Sequence, residues 1–194
     1  MNDEGLLREW LFKGLSVEDM LDALEADGLA VRAANDPGAV QRVMPLEEFS
    51  TDIRRSALQA LPAYLALFCL ENAVRELVTE RMSDAFGTDW WGSAGVSTEV
   101  RKKVTARQDK EGINRWHIRR GAQEIYYTDF GDLVSIIRNN WPSFEDLFPD
   151  QNWVANRLNE LEASRNIIAH SNTLDERELT RVRMYLQDWL RQVG

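Results

Sequence analysis

The sequence predicts an all-α fold, with a helical bundle over residues 46–194 and a small helical appendage over residues 1–45. Three observations favour this class. Apolar residues recur at helical spacing, capping residues precede those series, and glycine or proline separates them. The clearest series are Val154, Leu158, Leu161 and Ile168, and then Leu179, Val182, Leu186, Trp189 and Val193. Because every well-patterned segment is helical, we expect the core to form by packing helix on helix.

The appendage is predicted from one short helical pattern. Ser16 to Asp19 approximates a capping box, apolar residues follow at helical spacing, and Gly28 is a suitable stop. The Asn-Asp-Pro-Gly sequence at residues 35–38 predicts a turn. Two interpretations of the appendage stay open, a lid on the main bundle and a docking module for a partner.

Residues 46–86 predict two helices, at about 46–60 and 63–85, because Pro62 removes a helical hydrogen bond and clashes with the preceding turn. Glu71 and Arg75 stand four residues apart on the second helix, beside its apolar face. Their spacing fits an exposed ion pair and a functional cleft equally well. The lone Cys69 lies in an apolar run, which predicts a buried small side chain.

Residues 87–127 are the least helical part of the chain. Ser97 or Thr98 predicts the start of a short helix, and residues 113–127 suggest a hairpin around Gly121. Eight basic residues between Arg101 and Arg120 resemble a surface that follows a phosphate backbone, with an aromatic ring for base stacking. A solvated, charged insert is the alternative. The candidate RNA-binding residues are Arg101, Lys102, Lys103, Arg115, Trp116, Arg119 and Arg120.

The rest of the chain predicts three more helices. The first covers residues 128–141 and ends at Pro142. Asp150 is the predicted cap of the second, and residues 173–176 form a capping-box pattern for the third.

Composition and charge restrict the functional class. A net charge of −9 is unlike that of a general nucleic-acid binder, but residues 61–120 carry 10 basic and 8 acidic side chains. A single cysteine excludes a disulfide within the chain, and two histidines argue against a histidine-rich metal site. The acidic start is unlike a signal peptide, and no apolar run reaches a membrane span. These features predict a cytoplasmic protein without a cofactor or a membrane partner.

The motif that carries the functional prediction runs from Arg165 to His170. Arg165 fills a vacant position in the apolar series of its helix, where a charge is costly unless it is paired or used. Asn166 and His170 stand four residues apart at the end of that helix. Arginine holds a phosphate through two parallel hydrogen bonds, and histidine suits proton transfer. By pattern alone the motif also fits a plain helix cap.

The motif resembles the hallmark of the HEPN superfamily, an arginine often followed by asparagine, with a histidine four to six residues further on. The resemblance extends to the polar stretch from Leu70 to Arg75 and to residues 127–141. It covers residues 55–194 and suggests the subgroup found beside a nuclear messenger-RNA surveillance endonuclease and as free-standing bacterial proteins.

The resemblance implies a metal-independent endoribonuclease that acts as a homodimer, with the motifs of two copies at the interface. We expect His170 to move protons, Arg165 to hold the scissile phosphate, and Asn166 to orient His170 or the substrate. Glu71 and Arg75 are expected to line the same cleft. The setting implied is a toxin, antiviral defence or RNA surveillance.

Other readings stay open. Some HEPN domains have lost catalysis, so a non-catalytic module for dimerisation, RNA binding or a regulatory protein partner is the main alternative. A regulatory nucleotide-binding domain is a weaker one. Some family toxins carry a tyrosine, modified by an antitoxin, two residues after the histidine. This chain has Asn172 there, which argues against that form of control.

Overall fold

The computed structural model describes residues 48–193, and this part of the chain contains α-helices and short 3-10 turns but no strand. The five helices of the described part are α1 (Thr51–Phe86), α2 (Thr98–Gly112), α3 (Phe130–Asn139), α4 (Gln151–Ala169) and α5 (Glu176–Val193). The 3-10 turns are Trp90–Gly92, Glu124–Tyr127 and Trp141–Ser143. The all-α prediction is therefore confirmed. The predicted appendage over residues 1–45 lies outside the described residues.

Helix α1 is longer than predicted, since it continues through Pro62 instead of breaking there. Proline has no N–H to donate to the carbonyl of Leu58, four residues earlier. Both residues are exposed, so water is able to satisfy the carbonyl that proline leaves without a partner. The prediction of two helices was wrong because the cost of proline is smallest on a solvent-facing segment.

The core lies between the C-terminal half of α1 and helices α3, α4 and α5. Its buried side chains include Leu70, Val74, Val78 and Met82 from α1, Phe130, Leu133, Ile136 and Ile137 from α3, and Val154, Leu158 and Leu161 from α4. Val182 and Trp189 of α5 complete it, and the Trp189 ring lies 5.5 Å from Phe148. Each of these large apolar side chains contributes about 1.5–3 kcal/mol when it is fully buried.

Side-chain caps fix where the helices begin. Ser97 accepts a hydrogen bond from the Val100 N–H (3.3 Å), and Asp150 accepts one from the Trp153 N–H (2.9 Å). At α5 the sequence prediction was wrong. The helix begins at Glu176, and Asp175 rather than Thr173 accepts a bond from the Glu178 N–H (2.8 Å). A carboxylate one residue before the first helical turn is the better acceptor there.

Two further predictions were wrong. The segment before Gly121 forms turns, closed by the His117 N–H on the Asn114 carbonyl, and not a hairpin. Its apolar residues Ile113, Trp116 and Ile118 are 78–87% exposed, so no second surface packs on them as a strand face would require. Cys69 is exposed rather than buried, because the core-facing positions beside it are Leu67 and Leu70.

The N-terminal half of α1 carries an exposed apolar surface, the α1 stripe, formed by Leu58, Leu61, Leu65 and Phe68. Spacings of three, seven and ten residues put these side chains on one face of the helix. In the described part of the chain, α1 is the one helix whose length and composition would suffice to cross a membrane. Its most apolar window has a mean hydropathy of 1.3, and 22% of that window is buried.

Candidate functional site

A cleft of about 660 Å³ lies between α1, the segment around the 3-10 turn Glu124–Tyr127, and the C-terminal half of α4. Residues distant in sequence form its walls. They are Phe68, Glu71, Asn72 and Arg75 of α1, Arg107 and Arg120, the consecutive residues 126–129, and Arg165 of α4. The cleft is therefore rich in guanidinium groups, with carboxylates set between them. Such a surface suits an anion of defined geometry.

Arg75 is held on three sides within this cleft. Its Nη2 donates to the Glu71 carboxylate and to the Thr128 carbonyl (2.9 Å), and its Nη1 donates to the Asn72 side-chain oxygen (3.2 Å). Burial lowers the pKa of Arg75, the Glu71 charge opposes that shift, and the neighbouring Arg165 adds to it. The guanidinium is therefore fixed in position and only partly neutralised.

Arg165 faces the same carboxylate through its other oxygen. Its Nε lies 3.8 Å from Glu71 Oε2, an ion-pair distance too long for a hydrogen bond, and its side chain is 29% exposed. The Nε atoms of Arg75 and Arg165 are both buried without a hydrogen-bond partner among the described residues. Such buried donors are costly to leave without a hydrogen bond. The structure thus brings together Glu71, Arg75 and Arg165.

Asn166 and His170 lie outside the walls of this cleft. Both side chains are exposed on the last turn of α4, and His170 is the C-cap residue. The helix ends in a Schellman motif, in which the Asn172 N–H donates to the Ile167 carbonyl (3.1 Å) and the Ser171 N–H donates to the Ile168 carbonyl (3.0 Å). Within one chain, His170 therefore does not line the cleft.

The turn after His170 is strained. Ser171 adopts φ 59°, the left-handed region in which glycine is the usual residue. A serine in that conformation costs roughly 1–2 kcal/mol. The strained residue directly follows the histidine of the motif. Backbone outliers of this kind cluster at functional sites.

Arg107 was missed by the sequence analysis as a residue of the site. It ties α2 to the start of α3, since its Nη1 donates to the Tyr127 carbonyl and to Asp132 (both 2.6 Å) and its Nη2 donates to Asp129. This tie holds the backbone whose Thr128 carbonyl positions Arg75. The available signal was the pair of aspartates three residues apart at a helix start, which predicts a capping box but not its arginine partner.

The carboxylates around the cleft are shifted in opposite directions. Burial alone would raise the pKa of Asp129, but the hydrogen bond from the Asp132 N–H and the Arg107 charge outweigh it and hold that pKa below its usual range. Burial and the charge of Asp129 raise the pKa of Glu162, despite the hydrogen bond that Glu162 accepts from the Gly131 N–H (2.8 Å).

The candidate RNA-binding residues do not form one surface with the cleft. Arg120 does line it, where its Nε also pairs with Glu111 (2.6 Å). Arg101 is used inside the fold, because its Nη1 donates to the carbonyls of Gly92 (3.0 Å) and Ser93 (2.9 Å). Lys103 pairs with Glu99 and Asp132. The remaining candidates, Lys102, Arg115, Trp116 and Arg119, are exposed.

Comparison with known proteins identifies the domain that carries this cleft. The model of one family, described as Swt1-like HEPN, matches residues 65–194, which is well over half of the chain. The match contains α3, α4, α5 and every side chain that lines the cleft. Comparisons with curated proteins and with solved structures give no match. This chain, which carries the Arg165–His170 motif at the end of α4, therefore belongs to the Swt1-like HEPN family.

Proposed function

We propose that this protein is a metal-independent endoribonuclease whose catalytic groups come together across a homodimer. The observation that carries the proposal is that the guanidinium groups of Arg75 and Arg165 line one cleft and share the Glu71 carboxylate, in a domain of the HEPN family. The HEPN family is consistent with ribonuclease or nucleotide-related activity.

The reaction uses a nucleophile that RNA carries itself. The 2′-hydroxyl loses its proton and attacks the adjacent phosphorus, the bond to the 5′-oxygen breaks, and that oxygen takes up a proton. The products are a 2′,3′-cyclic phosphate and a 5′-hydroxyl. Arg165 binds the phosphate as its charge develops, and Asn166 orients His170 or the substrate. His170 transfers protons, a contribution typically of about 10²–10⁴-fold in rate.

In this proposal, a second copy of the chain supplies the second histidine that the reaction needs. His170 lies outside the cleft of its own protomer, and one histidine is poorly suited to serve as base and acid in the same step. Two features support a paired arrangement. Ile167 is an exposed apolar residue within the motif, and the α1 stripe leads along its helix face to Asn72 and Arg75. A two-fold dimer through these surfaces would bring two motifs together.

The test is cleavage of a mixed RNA pool in excess EDTA. We expect the wild-type protein to leave 2′,3′-cyclic phosphate ends, and we expect His170→Ala to reduce cleavage at least about 100-fold. The matched control is His117→Ala, which removes the second histidine, exposed on the loop after α2, and should cleave like wild type. Equal cleavage by His170→Ala and wild type would contradict the role of His170.

A non-catalytic binding module is the second candidate, and one contact favours it. Glu71 already engages both arginines, so the cleft is partly neutralised in the absence of any ligand. Under this alternative a correctly folded dimer would bind RNA or a regulatory protein without cutting. A dimer that binds RNA in the EDTA experiment and leaves every strand intact would support it.

A further inference from the structure

A second cavity, of about 510 Å³, adjoins the cleft and continues it. The two cavities share four residues, Phe68, Asn72, Arg75 and Tyr126. The second one is also lined by Glu76, Thr79, Glu80, Gln123 and the buried Ile125. Together they form one groove with Arg75 at the junction. The groove has room for a group larger than a phosphate.

One of the four residues that line both cavities carries an aromatic ring that is held in place. Tyr126 is 40% exposed, whereas the next residue, Tyr127, is buried. The Tyr126 ring packs on the backbone of Gly121, where an added Cβ would lie only 2.5 Å from the Tyr126 Cδ2. Any side chain at position 121 would therefore displace the ring. An exposed ring that is fixed in this way is prearranged to stack on a flat ligand.

The two ends of the groove differ in charge. The first cavity presents the guanidinium groups of Arg75 and Arg165, which attract a phosphate. The second presents the carboxylates of Glu76 and Glu80, which repel a phosphate but accept hydrogen bonds from neutral N–H donors. A nucleotide has the matching asymmetry, with an anion at one end and a flat base with polar edges at the other.

We propose that the groove binds one nucleotide of single-stranded RNA, with its base stacked on Tyr126, and that it prefers guanine. This inference rests on the proposed function, because the phosphate held by Arg75 and Arg165 is that of RNA. Guanine carries two adjacent donors on its Watson–Crick edge, N1–H and N2–H₂, and a carboxylate such as that of Glu76 accepts both. Adenine and cytosine each offer a single amino group at that edge. A base within a duplex could not reach the ring, so the substrate is unpaired.

The test separates binding from cleavage. The probes are fluorescent 2′-O-methyl uridine octamers with a single central G, A or C, which lack the attacking hydroxyl. We expect wild-type protein to bind the G octamer about tenfold more tightly than the others. Tyr126→Leu and Gly121→Ala should weaken binding of every octamer about tenfold, through loss or displacement of the stacking ring, while Tyr126→Phe should bind like wild type.

A separate variant tests the acidic end of the groove, where Glu76 lies. Glu76→Gln should remove the preference for G and leave affinity for the A and C octamers unchanged. Glu145→Gln, which changes an exposed glutamate outside the groove, is its control.

If Tyr126→Leu and Gly121→Ala bind all octamers like wild type, or if wild type shows no preference for G, the inference is overturned. If those variants still cut unmodified RNA, the proposed nuclease activity is not contradicted. If the octamers bind with the expected preference but unmodified RNA stays intact, the proposed nuclease activity is rejected. The proposed nucleotide binding in the groove is then retained.

Discussion

At the scale of single residues, Glu71 decides the electrostatics of the cleft. Its carboxylate accepts a hydrogen bond from Arg75 and lies within ion-pair distance of Arg165, and its side chain is only 14% exposed. One carboxylate thus compensates two guanidinium groups that sit in a partly desolvated site. Without it the two positive charges would repel each other, and each would lose its nearest counter-charge.

Glu71→Gln should therefore lower stability and strengthen anion binding at the same time. We expect the free energy of unfolding to fall by about 1–3 kcal/mol, because a partly buried charge loses its partner. We expect the Kd for a 2′-O-methyl RNA to fall several-fold, with a steeper dependence on salt, because the cleft gains one net positive charge. Urea unfolding and fluorescence anisotropy measure the two effects.

The control for that variant is Asp188→Asn. It removes the carboxylate that Arg157 contacts (2.9 Å) in the ion pair between α4 and α5, at a place outside the cleft. It should reduce stability and leave RNA affinity unchanged. If both variants change RNA affinity equally, Glu71 acts through stability alone.

At the scale of elements, the start of α3 connects the fold to the site. Asp129 and Asp132 form a capping box, in which each side chain accepts a bond from the backbone N–H of the other. Arg107 of α2 binds both carboxylates, and the Thr128 carbonyl beside them holds Arg75. A helix cap thereby fixes a residue of the cleft on another helix. The Lys103 ammonium, which faces Asp132, adds to this cluster of charges.

The depressed pKa of Asp129 predicts a loss of stability in acid. A carboxylate whose folded pKa lies below its unfolded value stabilises the protein above the unfolded pKa, and that contribution is lost as the pH falls through the folded one. Asp129→Asn should cost about 1–2 kcal/mol at pH 7, since asparagine still caps the helix but lacks the charge. The difference from wild type should shrink below about pH 4.

Urea unfolding at pH 7, 5 and 3 measures this difference. Asp146→Asn, which removes an exposed carboxylate paired with Arg81, is the matched control and should follow the wild-type profile. A difference between Asp129→Asn and wild type that stays constant from pH 7 to pH 3 would show that the charge of Asp129 contributes nothing to stability.

At the scale of the whole molecule, the α1 stripe and the exposed His170 are the features on which the proposed homodimer rests. The four apolar side chains of the stripe are 42–69% exposed and continue along the same helix face to the cleft. Contiguous apolar surfaces of this kind usually mark an interaction site. A homodimer that covers the stripe would also exclude water from the neighbouring arginines, which strengthens their hold on a phosphate.

Leu65→Glu should therefore convert the proposed dimer to a monomer and abolish the proposed RNA cleavage together. A charge placed in the centre of an apolar interface is left desolvated and unpaired. Sedimentation velocity over a range of concentrations measures the first effect, and cleavage in EDTA the second. Met184→Glu, at an exposed apolar position on α5, should change neither. A Leu65→Glu protein that stays dimeric would place the interface elsewhere.

Much of the fold and part of the site could be predicted from the sequence. Helical spacing and caps identified the all-α class and the helices around residues 154–168 and 179–193, whereas the family was identified by the resemblance of the Arg165–His170 motif. The Arg165–His170 motif and the Glu71–Arg75 pair were visible because each lies within a few residues on one helix. Patterns of this length report local geometry, which the helix repeat determines by itself.

Tertiary structure decided what depends on contacts between distant segments. The continuity of α1 through Pro62 and the exposure of Cys69 follow from which helix faces the bundle covers, and no local pattern contains that information. The same holds for the contact of Arg75 with Thr128, which lie 53 residues apart, and for the three ties made by Arg107. The sequence by itself determined the helices and the motif, whereas packing determined which charges meet, because ion pairs form between surfaces that only the folded chain brings together.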